Sequence, residues 1–169
     1  MDSQVMVLGL GNVLNGDDGL GYYAIRDLAQ EQWPDNVCFV HRTEFEWSPL
    51  FFRDCCCLLL LDTLCRGNKP GTMYDYNHKE LHLYKERLRS PWLLDAMAFS
   101  SVFGEELWTG FVGLEPASRE CTACLTSSIS RSYKEFLETV RSRICNMLDS
   151  LHSSALQTAG EGGITAFAP

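Results

Sequence analysis

Seven apolar residues in a row end at an acid in Cys55-Cys56-Cys57-Leu58-Leu59-Leu60-Leu61-Asp62. A strand with one wet face alternates apolar and polar residues. A strand without alternation must be covered on both faces, which is the situation of a central strand in a parallel sheet. Val5-Met6-Val7-Leu8 has the same character. It is followed by a glycine-rich segment, Gly9 to Gly21, and then by Leu20, Ala24 and Leu28 at the i, i+4, i+8 spacing of a helix face. Strand and helix alternate along the chain. This order predicts an α/β fold, a three-layer sandwich with a mostly parallel twisted sheet and helices on both faces.

The remaining elements follow from punctuation. Pro34-Asp35-Asn36 stops the first helix near Gln32, and Val37-Cys38-Phe39-Val40 reads as a second strand. Ser48-Pro49 opens a short helix through Phe52, and Ser90-Pro91 opens another to about Phe103. Thr72 to Tyr76 and Leu107 to Gly113 read as further strands, with Arg66 to Gly71 a turn-rich loop and His78 and His82 in a loop region. Ile129, Tyr133, Phe136, Leu137, Val140, Ile144, Met147, Leu148 and Leu151 line one face of a final helix. Residues 1–152 are thus expected to form a single domain. Residues 153–169, rich in Ser, Gly and Ala, are expected to be a disordered tail.

Charge and cysteine content narrow the function. The 169-residue chain carries a formal charge of -8 and has no Lys/Arg cluster, which disfavours nucleic acid and anionic membranes as partners. Met1-Asp2-Ser3-Gln4 lacks a basic leader and no apolar run approaches a membrane span, so a cytoplasmic protein is expected. The eight cysteines then read as reduced thiols, with Cys55 to Cys57 small hydrophobes in a strand. Cys121-x-x-Cys124 has no second Cys/His pair at zinc-finger spacing.

The chemistry-bearing residues sit where strands give way to loops. Asp17-Asp18 follow the first strand and Asp62 closes the central one, and ligands in open α/β sheets bind beyond the carboxyl ends of strands. Two carboxylates there can hold a metal or share acid–base work. The alternative reading makes Asp17 a charge complementing a helix N-terminus and Asp62 a loop cap. Gly9-x-Gly11 lacks the third glycine of a dinucleotide fingerprint, because Leu14 stands there, and His41 sits where its acid would close the second strand. No HExxH or Gly-x-Ser-x-Gly motif occurs.

Gly9-Leu10-Gly11-Asn12-Val13-Leu14 with Asp17-Asp18-Gly19-Leu20-Gly21 resembles the opening motif of the hydrogenase maturation proteases. The likeness continues through Leu61-Asp62, Pro70-Gly71-Thr72, Phe111-Val112-Gly113-Leu114-Glu115-Pro116 and Leu125-Thr126. The resemblance implies an endopeptidase that removes the C-terminal extension of a nickel-loaded hydrogenase large-subunit precursor. Asp18 and Asp62 are its implied catalytic and metal-binding acids, with the nickel supplied by the substrate. The family's metal-binding histidine falls on Trp92, so His41 is the candidate third ligand, with His78 and His82 as further candidates, and the free protein is expected to bind metal weakly. A non-catalytic chaperone or checkpoint binder of a hydrogenase subunit is the alternative. Phe45, Trp47, Trp92 and Phe99 are the expected docking aromatics of a monomer.

Overall fold

The computed structural model describes residues 4–43, 55–84 and 107–161. The expected helices after Ser48 and Ser90, with Phe45, Trp47, Trp92 and Phe99, lie outside the described residues. The described strands are β1 (Gln4–Leu10), β2 (Val37–Arg42), β3 (Cys55–Thr63), β4 (Met73–Tyr76) and β5 (Trp108–Leu114). They form one sheet in the order β2-β1-β3-β5-β4. All neighbours run parallel except β4, an antiparallel edge strand paired with β5. The expected mostly parallel α/β fold is therefore the observed one.

Lack of alternation translates into two cores. Val5, Val7, Leu59, Leu61, Val112 and Leu114 face one side, packed with residues of α1 (Leu20–Leu28) and α3 (Ser127–Glu161). Met6, Leu8, Leu58, Leu60 and Phe111 face the other, with Tyr74, Leu81 and Leu107. Successive side chains of one strand thus serve opposite cores. Each fully buried Leu contributes about 1.5–3 kcal/mol relative to exposure, which holds the three central strands in register. On α3, Ile129, Phe136, Leu137, Val140, Ile144, Met147 and Leu148 are buried, the face expected from their spacing.

Two elements differ from the sequence expectation. α3 continues through Glu161, beyond Ser153 where composition sets the start of a tail. Extending an existing helix adds a hydrogen bond per residue without a new nucleation cost, and Ser, Ala and Gln do not break it. Residues 78–84, expected as loop, form α2 (His78–Tyr84). Its start is a reciprocal cap: the Glu80 amide donates to Asn77 Oδ1 at 3.0 Å, and the Asn77 amide donates to Glu80 Oε2 at 2.9 Å.

The β1–α1 connection is held close by glycine. A Cβ on Gly9 would overlap the Gly21 carbonyl oxygen, and one on Gly21 would overlap the Leu10 carbonyl oxygen. Helix and strand therefore pack backbone to backbone, and the intervening loop has a short span to cross. Gly21→Ala is expected to lower stability by about 2 kcal/mol, since backbone cannot yield as a side chain can. Urea unfolding checks this, and an unchanged midpoint would contradict the close packing.

Candidate acidic site at the carboxyl rim

β1 and β3 are parallel neighbours with Gly9 beside Leu61, so their carboxyl ends share one rim. After Leu10 the chain turns back on itself. Gly11 has φ 107°, a conformation L side chains rarely adopt, and a Cβ there would collide with the Asp18 carbonyl oxygen. The Asn12 amide donates to Asp18 Oδ2 at 2.9 Å, while Asn12 Oδ1 accepts from the Leu14 amide at 2.9 Å. This loop presents Asp18, 23% exposed, to solvent at the rim and leaves Leu14 57% exposed.

Asp62 lies within the last turn of β3 pairing, beside Gly113 of β5, and is buried. Its Oδ1 accepts from the Thr63 amide at 2.6 Å. Burial pushes its carboxyl up to about 7, and the negative charge of Asp18 adds to the rise. The Thr63 amide and the Arg119 guanidinium oppose it. The structure thus brings Asp18 and Asp62 into one electrostatic unit.

Arg119 completes that unit, and sequence reasoning passed over it. Its Nε stands 3.8 Å from Asp18 Oδ1, and its Nη2 donates to Thr63 Oγ1 at 3.1 Å. No local pattern marks this arginine. It reaches the rim because Asp17 anchors the loop that carries it. Asp17 is fully buried; Oδ2 accepts from the amides of Ala117 (2.8 Å) and Ser118 (3.1 Å) and from Thr126 Oγ1 (3.0 Å). Oδ1 accepts from the Thr126 amide at 2.7 Å. Asp17 therefore does more than complement a helix end: it ties two distant loops together. Backbone bonds add to the tie, from the Gly16 amide to Thr122 O at 2.7 Å and from the Asp17 amide to Ser118 O at 3.0 Å.

The histidines take different places. His41 ends β2 near the same rim, and its Nε2 lies 2.9 Å from the Gly11 carbonyl. A carbonyl only accepts, so Nε2 carries the proton and the lone pair of a neutral ring lies on Nδ1. The ring packs edge-on against Tyr22 at 5.2 Å. His41 thus buttresses the turn that positions Asp18. His78 is elsewhere: it starts α2, accepts from the Thr109 amide at Nδ1 (3.3 Å) and stacks on Trp108 near the amino end of β5. Among the described residues, no group of three or more His, Cys, Asp or Glu side chains converges on a point that could hold a metal ion. Among the described residues, two carboxylates with a guanidinium beside them fall short of the three or four protein donors of a resident zinc centre.

A third buried acid supports the rim without joining it. Glu115, after β5, accepts from the Arg66 amide at 3.0 and 2.9 Å, the Gly67 amide at 3.0 Å and the Tyr74 hydroxyl. Burial acts to raise its carboxyl, but these donors outweigh it and hold the group below the usual range. Cys55 and Cys57 are pushed up to about 12 by burial, which makes them inert thiols. No helix among the described residues is long and apolar enough to cross a membrane.

No protein-family model and no curated protein matches the chain, whereas solved structures do. Hydrogenase maturating endopeptidase HybD from E. coli superposes with a TM-score of 0.71 at 24% identity, covering 85% of this chain and 93% of that one. The [NiFe] hydrogenase maturation protease HybD from Thermococcus kodakarensis gives 0.62 at 21% identity, covering 82% and 97%. An endopeptidase from Escherichia coli, solved in solution, gives 0.63 at 26% identity, covering 81% and 89%.

Two outcomes are expected here. Asp17→Asn places an amide group against hydrogen-bond donors and should cost about 2–3 kcal/mol, read by urea unfolding. For Asp62, the unfolded carboxyl titrates near 3.8 and the folded one near 7. The folded state therefore holds an extra proton between these values, and stability falls as pH rises through that window. Asp62→Asn removes the penalty, so it should raise stability at pH 8 by on the order of 3 kcal/mol and change little at pH 3.5. A gain that does not depend on pH would contradict the burial argument.

Proposed function

We propose that this chain, which has the fold of the hydrogenase maturation endopeptidases, trims the C-terminal extension of a nickel-loaded hydrogenase large-subunit precursor. The observation that supports the reading is that β1 and β3 end on a shared rim, where the charge of Asp18 acts on the buried Asp62 carboxyl and helps raise it to about 7. A pair of this kind, with no third His, Cys, Asp or Glu converging on it among the described residues, suits a metal that arrives inside a protein substrate with ligands of its own.

In this reading nickel is part of the substrate, and Asp18 and Asp62 are the groups that meet it. Asp62 is suited to general-base work because an acid titrating near the working pH both exists ionised and accepts a proton readily. Water gives a proton to Asp62 as its oxygen attacks the scissile carbonyl carbon. The C–N bond then breaks and the amine leaves with that proton. Asp18, solvent-facing and held by the Asn12 amide, orients the substrate at the rim. His41 acts through Gly11 as a positioning residue.

A second reading, a non-catalytic binder of the large subunit, is favoured by Trp92 at the position of the family histidine. One experiment separates the two. The protein is incubated with nickel-loaded precursor, and the large subunit is weighed by mass spectrometry. A shortened subunit supports the protease; capture of an intact subunit supports the binder. Asp18→Asn and Asp62→Asn should each slow processing by about a hundredfold or more without lowering the melting temperature at neutral pH. Wild-type processing by Asp62→Asn would reduce Asp62 to a loop cap.

A further inference from the structure

The guanidinium of Arg119 has no part in the hydrolysis just described, yet it stands beside Asp18 and bonds to the neighbour of Asp62. Its Nε faces Asp18 Oδ1 at 3.8 Å, and its Nη2 is held by the hydroxyl of Thr63, the residue after Asp62. The side chain is 49% exposed, and the loop bearing it is anchored from below by Asp17. A cation that pairs loosely with Asp18, bonds to the residue after Asp62, is half in solvent and has a fixed base is placed to leave and return.

We propose that Arg119 is the resting counterion of the Asp18–Asp62 rim, a tethered cation that a substrate-borne metal must displace to reach the two carboxylates. The assignment rests on the reading of this rim as a cation-receiving site. Electrostatics supplies the reason. Two carboxylates at one rim repel each other, and a neighbouring positive charge offsets this at little desolvation cost while it remains partly hydrated. An ion pair at 3.8 Å between partly exposed groups is also held loosely, which a displaceable cation requires. The consequence is selectivity. A free divalent ion meets a site whose charge a guanidinium already offsets in part, and it gains less by binding. A metal embedded in a docked protein displaces Arg119 with the help of the whole interface.

The test is manganese(II) binding to the full chain by calorimetry. Manganese is the probe because carboxylates suit it, whereas the exposed thiols of Cys121 and Cys124 favour softer ions. Arg119→Ala is expected to tighten binding about tenfold, because a unit positive charge near the incoming ion is removed. Arg119→Lys, which keeps the charge, should bind like the wild type. In Arg119→Ala/Asp62→Asn the gain should vanish. Unchanged or weaker binding by Arg119→Ala overturns the proposal, and so does a gain that survives in the double variant. Melting temperatures confirm that each variant is folded, and Arg119→Gln, which retains a donor for Thr63, gives the same reading should the alanine variant prove unstable. If Asp18→Asn and Asp62→Asn still process precursor while Arg119→Ala tightens manganese binding, the catalytic role of the two acids fails and the counterion stands. The reverse pattern overturns the counterion alone.

Discussion

The buried carboxylate of Asp17 is the constraint on which the rim depends. A charged group taken fully out of water is costly unless donors surround it. Here three backbone amides and one hydroxyl do so, from Ala117, Ser118 and Thr126. These partners bracket the loop ahead of α3, and Asp17 itself sits in the single turn of 3-10 helix between β1 and α1. The first and last thirds of the described chain are therefore locked together at one point. Asp18 is the next residue on one side of that lock, and Arg119 lies just beyond Ser118 on the other. Tyr23 reinforces the tie from α1, its hydroxyl donating to the Ala123 carbonyl at 2.5 Å.

Around this lock, stability and chemistry pull in different directions. Glycines at positions 9, 11 and 21 let backbones approach where any side chain would collide, and so aim the loop. Glu115 is buried with its donors and stabilises the neighbouring loop as an ionised group. Asp62 is buried with fewer donors and a like charge close by, so its ionised form is disfavoured. Two acids at strand ends of one sheet thus have opposite characters. Glu115 is stabilised as an ionised group by its donors, whereas Asp62 carries an electrostatic cost.

Much of the architecture was legible from residue order, for identifiable reasons. Burial of both faces erases alternation, so the runs at Val5 and Cys55 announced central strands, and their two core clusters match. The final helix showed its period of 3.6 through nine apolar positions. Even the missed helix at His78 had a local mark, Asn77 with Glu80 three residues on, which reads as a cap once sought.

Chain order alone determined that this protein has a parallel-dominated sheet, that Asp18 lies in the loop after the first strand and that Asp62 lies at the end of the central one, because periodicity and turn chemistry act over a few residues. Tertiary structure alone decided what surrounds them. The partners of Asp17 are about a hundred positions away, Arg119 and Thr63 are separated by 56, and His41 meets Gly11 across 30. Hydrogen bonds and charge pairs of this kind leave no period in the sequence. They come into being only when strands take their order in the sheet and loops from distant segments arrive at the same rim.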